Sequence, residues 1–231
     1  QMTKENIENS QISLRYEGNE VFLESGGQSM SADFSKMGKR LTHANLTHEL
    51  IVKAAKIKDF DHVPLVCDAT AGLGEDSLLL AAAGCRVILY ERDPMIAALL
   101  KNAIEKGASS DLSDIREAVS RMEVREEDSI TALPKLFEEG ITPDIVFLDP
   151  MFPEREKSSL VKKKFQLIHL LEKPCSDEDE LLNSAVLAAP AKIIIKRPVK
   201  AAILGSIKPD YSLTGKTVRY DIILLKNLRR S

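Results

Sequence analysis

Three places in this 231-residue chain put reactive residue types where a backbone can hold them still. In the stretch DIVFLDPMFP, the apolar run Ile145 to Leu148 gives way to Asp149, Pro150, Met151, Phe152 and Pro153. Proline fixes its own φ, lacks a donor and biases its predecessor away from the α region, so Asp149 and Phe152 are held nearly fixed. A second place is DATAGLGED, Asp68 to Asp76. There Gly72 and Gly74 permit a sharp turn and close approach to a ligand, and the helix that follows offers free N–H groups. The third is Glu91, seventeen residues past Gly74 at the end of the next apolar run. An acid so placed accepts hydrogen bonds from both hydroxyls of a ribose. Glycine turn and acid together imply a nucleoside-containing cofactor. The dinucleotide fingerprint wants a further glycine where Ser77 stands, which argues against a nicotinamide.

These residues need a frame. From Val63 onward short apolar runs alternate with helical segments: LVCDA, VILYE, MEVREED, DIVFLD and KIIIK read as strands. Strands separated by helices imply right-handed crossovers and a mostly parallel sheet, an α/β fold with both faces covered. Carboxyl ends of such strands share one crevice, so Asp149 and the glycine turn face the same side. The segment SLTGKTVRYDIILLK has no helix inside it and reads as an antiparallel hairpin closing the sheet. Upstream, residues 12 to 24 read as a hairpin around Gly18 and Asn19, and a helical pattern runs from about Leu46 to Ile57. We take residues 1–60 as a small N-terminal appendage and 61–231 as the main domain. After the second strand, Asp93 suits an N-cap, Pro94 the first helical position, and Gly107 the C′ position. Asp93 is therefore explained without a ligand. Pro134 belongs in the first turn of its helix, which places that start near Thr131, and the acidic run SDEDE reads as another helix start.

The segment Asp149-Pro150-Met151-Phe152 resembles the (Asp/Asn/Ser)-Pro-Pro-aromatic motif of class I S-adenosylmethionine-dependent methyltransferases that act on exocyclic or amide nitrogens, with Met151 at the second proline. DATAGLG likewise resembles their Asp-x-Gly-x-Gly-x-Gly loop, with Thr70 at the first glycine. The chemistry accounts for these residue types. An amino group conjugated to a purine is a poor nucleophile, because its lone pair is delocalised. A carboxylate at Asp149 and the carbonyl of Pro150 accept its two N–H bonds and stabilise charge developing on nitrogen. Phe152 stacks on the base, a contact worth about 1–3 kcal/mol, which helps offset the few kcal/mol of unstacking. Alignment of donor and acceptor supplies more, about 7–11 kcal/mol in well-oriented systems.

Over a longer span, DATAGLGEDSLLLAAAGCRVILYERDP, then LDPMFP followed by KSSLVKKK, then IIIKRP are similar to the ribosomal RNA small subunit methyltransferase J family, from about residue 30 to the C-terminus. That resemblance implies a Rossmann-like class I methyltransferase fold with a seven-stranded sheet. It also implies methylation of the 2-amino group of a guanine in small-subunit ribosomal RNA. Carried over by position, it implies contacts to S-adenosylmethionine from Gly72, Gly74, Glu75, Asp76, Glu91, Arg92, Asp128, Ser129 and Asp149. In that assignment Glu91 takes the ribose, Asp128 or Ser129 lies near the adenine, and Asp149, Pro150 and Phe152 form the catalytic corner. Basic residues near the corner then gain a role. Lys157, Lys162, Lys163 and Lys164, with Lys196 and Arg197 ending the next strand and Lys39 and Arg40 upstream, are candidates for RNA phosphates, contacts that position without reading sequence.

Bulk properties narrow the field. The chain is 44% hydrophobic and 29% charged with net charge −3, so nothing global announces nucleic acid, and a shaped RNA target such as a partly or fully assembled subunit is favoured over bulk RNA. No apolar run is long enough to cross a bilayer, and the polar N-terminal stretch lacks a secretory pattern, pointing to the cytoplasm. The three cysteines read as core thiols and the four histidines lack metal spacing, so no metal is expected. Competing readings are an amino-nitrogen methyltransferase acting on another RNA, DNA or protein, a nicotinamide oxidoreductase, and a non-catalytic RNA-binding assembly factor.

Overall fold

The computed structural model describes residues 12–150 and 177–228 together with Leu167 and Leu171. Its centre is a seven-stranded sheet. In chain order the strands are β4 (Leu65–Asp68), β5 (Arg86–Tyr90), β6 (Met122–Arg125), β7 (Ile145–Leu148), β8 (Lys192–Pro198), β9 (Tyr211–Thr214) and β10 (Val218–Leu224). They lie in the order β6-β5-β4-β7-β8-β10-β9. Strands β4 to β8 pair in parallel, while β10 runs antiparallel to both β8 and β9. The expected mostly parallel sheet with an antiparallel C-terminal hairpin is what forms. The order reverses direction at β4, where the next strand in sequence goes one way and β7 goes the other. In open α/β sheets that switch point opens a crevice at the strands' carboxyl ends.

Both faces of the sheet are dry, which explains why its strands read as continuous apolar runs. Side chains alternate across it: Val66, Phe147, Ile194 and Ile222 join one core, and Cys67, Val146, Ile193, Ile195 and Ile223 the other. The first core is closed by helices α4 (Glu75–Ala82), α5 (Pro94–Ala108) and α6 (Ser113–Val119), and the second by α7 (Ser129–Glu138) and α8 (Glu178–Leu187). Each fully buried leucine or isoleucine contributes about 1.5–3 kcal/mol over an exposed one.

Two local expectations need correction. Gly107 is not the left-handed residue after α5; it lies inside the last turn. A Cβ there would stand 2.8 Å from Val119 Cγ1, so the glycine lets α5 and α6 touch. Helix α7 begins at Ser129, not Thr131, because Asp128 caps it by accepting from the Ile130 N–H at 3.0 Å. Pro134 therefore sits within the helix, which forgoes one backbone bond there and continues.

Residues 12–60 begin as an antiparallel sheet of β1 (Ser13–Glu17), β2 (Glu20–Ser25) and β3 (Gln28–Met30). The expected hairpin is its first half, turning at Gly18 with φ 57°, and a second turn uses Gly26 and Gly27 at φ 54° and 71°. Two left-handed residues in succession are what a two-residue hairpin of matching twist requires. Short helices α1 (Gly38–Leu41), α2 (His43–Leu46) and α3 (Leu50–Ala55) follow. Helix α3 ends where Lys56 turns left-handed, φ 46° and ψ 53°. This segment does not stand apart: Leu23, Phe34, Leu41 and Ile51 belong to the same apolar cluster as Leu78, Leu89 and Leu100. Asn102 on α5 clasps the hairpin, accepting from the Val21 N–H at 3.1 Å and donating to the Asn19 carbonyl at 2.7 Å.

Candidate active site

The loop after β4 is built from its own hydrogen bonds. Asp68, only 2% exposed, accepts from the Thr70 N–H at 3.0 Å and from Ser77 Oγ at 2.6 Å. Burial pushes its carboxyl up to about 7, against the pull of those two donors. Ser77, where a dinucleotide loop would carry glycine, is thus fastened inward. Gly72 has φ 52°, a left-handed value that favours glycine, and its N–H donates to Glu91 Oε2 at 3.0 Å. Glu91 Oε1 accepts from the Asp93 N–H at 2.8 Å. The first-strand turn and the second-strand acid are therefore one unit. Gly74 serves otherwise: φ is 73°, and a Cβ would come 2.6 Å from Leu100 Cδ1 and 3.3 Å from Leu89 Cδ2. Its bareness lets Leu100 and Leu89 pack against the turn.

Glu91 is 8% exposed, and burial raises its carboxyl despite the two backbone donors. A carboxylate has about four acceptor positions, so two remain once Gly72 and Asp93 are served. That fits the pair of hydroxyls on a ribose. Beyond it, Arg92 lies 3.8 Å from Asp128, both about half exposed, and Ser129 is buried at the start of α7. Glu75 and Asp76 occupy the first turn of α4, where carboxylates also suit the helix dipole.

The opposite wall of the crevice is β7 and β8. Asp149 directly follows β7; its N–H donates to Thr70 Oγ1 at 2.7 Å, so the residue standing where a first glycine was expected joins the two walls. Lys196 on β8 donates to Asp149 Oδ2 at 2.8 Å and to Asp76 Oδ2 at 2.6 Å. Burial raises the Asp149 carboxyl, with the Lys196 charge opposing. Burial alone would lower Lys196, but the two carboxylates outweigh it and hold the ammonium well above its ordinary range. Pro150 is buried beside this group.

Among the described residues, the expected basic rim is only partly exposed. Lys196 is committed to two carboxylates. Arg197, 4% exposed, donates through Nε to the Ala202 carbonyl at 3.0 Å and lies 3.4 Å from Glu178. Its expected role at the rim is corrected by strand alternation, which turns it to the other face of the sheet. Arg40 forks onto Glu49 at 2.7 and 2.8 Å, while Lys39 is exposed. Phe152, Lys157, Lys162, Lys163 and Lys164 lie outside the described residues. Sequence reasoning also passed over Asp68 and Thr70. The signal for Asp68 was available, an acid ending the strand before a glycine turn; Thr70 carried none.

Comparisons with known proteins agree with this fold. The family model described as "Putative SAM-dependent methyltransferase" matches residues 2–225. Ribosomal RNA small subunit methyltransferase J of Thioalkalivibrio sulfidiphilus is 39% identical over 190 residues, covering 81% of this chain and 72% of the relative. The protein of that name from Cellvibrio japonicus is 40% identical over 183 residues, covering 78% and 68%. A crystal structure of a SAM-dependent methyltransferase from Neisseria gonorrhoeae matches with TM-score 0.76 and 30% identity, covering 94% of this chain and 84% of that one. The rRNA methyltransferase AviRa from Streptomyces viridochromogenes shares the fold alone, with TM-score 0.54 and 18% identity over 80% and 86% of the two chains. A sheet that switches direction at β4, a glycine turn locked to a strand-end acid and these relatives lead to one assignment: the chain belongs to the ribosomal RNA small subunit methyltransferase J family of S-adenosylmethionine-dependent enzymes.

Proposed function

We propose that this protein methylates the exocyclic 2-amino group of a guanine in small-subunit ribosomal RNA, acting in the bacterial cytoplasm on a partly or fully assembled subunit. The observation that carries the reading is Asp149, tied by its backbone to Thr70 of the glycine turn and by its side chain to Lys196. That arrangement would set an acceptor for an amine next to a nucleoside pocket, which supports the reading. S-adenosylmethionine supplies a methyl group activated on a sulfonium. Glu91 would hold its ribose, with Asp128 and Ser129 toward the adenine, and the Gly72 turn would fit its backbone around the ligand.

The protein's own work is to orient and to stabilise charge. Asp149 Oδ1 and the Pro150 carbonyl accept the amine's two N–H bonds, so that the nitrogen lone pair points along the line of transfer. Phe152 would stack on the extruded base, and Lys39, Lys157, Lys162, Lys163 and Lys164 would hold flanking phosphates. Removing a preorganised charge-stabilising group typically costs about 10²–10³ in turnover. Asp149→Asn should therefore lower methyl transfer to small-subunit RNA by about that factor while cofactor binding, measured by calorimetry, persists. The assay uses radiolabelled cofactor, with isolated RNA and assembled subunits as parallel substrates, and mass spectrometry of the digested RNA. Label on another nitrogen, or full activity in Asp149→Asn, would overturn the reading.

A further inference from the structure

The contact between Lys196 and two carboxylates lies at the crevice yet touches neither the ribose acid nor the caps. It joins three separate segments: Asp76 in the first turn of α4, Asp149 after β7, and Lys196 near the end of β8. Register explains the meeting. Leu148 pairs with Ile195 in the parallel β7–β8 ladder, so the next residues along, Asp149 and Lys196, come side by side. The three side chains keep 18%, 37% and 24% of their surface for Asp76, Asp149 and Lys196. A solvated surface pair of this kind would matter little. Here the ammonium is the charge that separates two acids.

We propose that Lys196 is a positioning residue for methyl transfer: gripped between Asp76 and Asp149, its ammonium keeps the Asp149 carboxylate charged and aimed at the substrate amine. The proposal rests on the reading of Asp149 as the amine acceptor. Geometry gives the aim, since one oxygen of Asp149 is occupied by Lys196 and the Asp149 N–H is anchored on Thr70, which fixes the direction of the other oxygen. Charge gives the rest. Asp68 on β4, Tyr220 on β10 and the Arg40–Glu49 pair face the same group from the surrounding elements. Asp68, Asp76 and Asp149 would otherwise be three neighbouring acids, the first buried and the others partly so, and an opposite charge within a few ångströms favours the ionised form of a carboxylate there. Arg40 is already spent on Glu49. Lys196 thus also makes Asp76 a partner of the substrate side of the crevice as well as a helix-start acid.

The sign of the consequence is fixed. Asp149 must be ionised to accept the amine, so activity falls as pH drops through its titration. Burial raises that titration and Lys196 opposes the rise. Replacing Lys196 with a neutral residue should move the acid limb of kcat/KM upward by roughly 1–3 pH units. Activity then falls roughly tenfold for each unit by which the assay lies below the new limb.

The test compares wild type, Lys196→Met, Lys196→Gln and Lys196→Arg, with calorimetric cofactor binding and circular dichroism confirming intact folds; the polar, uncharged glutamine serves if methionine prevents folding. An upward shift in the neutral variants, with the limb restored in Lys196→Arg, is expected. Adding Asp76→Asn to the neutral variant should bring the limb part of the way back, since one repelling acid is gone. An acid limb that stays in place, or a loss equal at every pH, overturns the proposal and leaves Lys196 a prop. Inactivity of Asp149→Asn alongside an unmoved limb in Lys196→Met rejects this inference alone; activity retained in Asp149→Asn rejects the amine-acceptor reading beneath it.

Discussion

The two walls of the crevice are held by different kinds of bond. On the β4–β5 wall, Asp68 and Glu91 are buried carboxylates that accept mostly from backbone N–H groups of the two strand-end loops. On the β7–β8 wall, Asp149 is fixed by side chains, Thr70 and Lys196, from distant parts of the chain. A wall set by local backbone geometry is rigid before any ligand arrives, although burial lifts the carboxyls of Asp68 and Glu91 within it. One set by an ion pair is adjustable, and its geometry depends on protonation. The contrast suits a division of labour in which the cofactor side recognises a constant molecule and the substrate side does pH-dependent work.

Breaking the rigid wall should produce the largest effect. Gly74→Val places a branched side chain at φ 73° against Leu100 and Leu89, and should cost about 2–4 kcal/mol of stability in urea unfolding. A near-neutral result would mean that the glycine turn is not the rigid half. Next comes the joint. Thr70→Val keeps the shape but leaves the Asp149 N–H without its acceptor, a loss worth about 1–3 kcal/mol, so turnover should fall roughly tenfold while cofactor affinity holds. Equal losses in both would merge the two walls into one unit. The smallest change is expected from Glu91→Gln. It keeps one carbonyl acceptor but loses the charge, and cofactor affinity should weaken a few-fold, by about 1 kcal/mol, with the acid limb unmoved. A moved limb there would show that both walls titrate together.

Much of this frame could be read from residue order. Alternating apolar runs and helical stretches gave the strand count of the parallel half, and the Asp93 cap, with its acceptor bonds to the Met95 and Ile96 N–H groups, followed from residue type. Glu91 and the glycine turn were legible because their spacing reflects one βαβ unit. The pairing of Lys196 was not legible because its partner Asp149 lies 47 residues away, and only strand register brings them together. Gly107 misled for a different reason. A glycine near the end of a helix serves either a left-handed turn or a close helix crossing, and the choice depends on Val119, which local pattern does not reveal. Pro134 was tolerated where propensity forbade it, because Ala132, Leu133 and Leu136 pay for the helix by packing under the sheet.

The clasp of Asn102 on the first hairpin has a consequence for synthesis. The side chain that secures Asn19 and Val21 is made 83 and 81 residues after them. Chains leave the ribosome N-terminus first. The hairpin therefore emerges well before its anchor exists, and this edge of the molecule must wait unfastened until α5 has been translated.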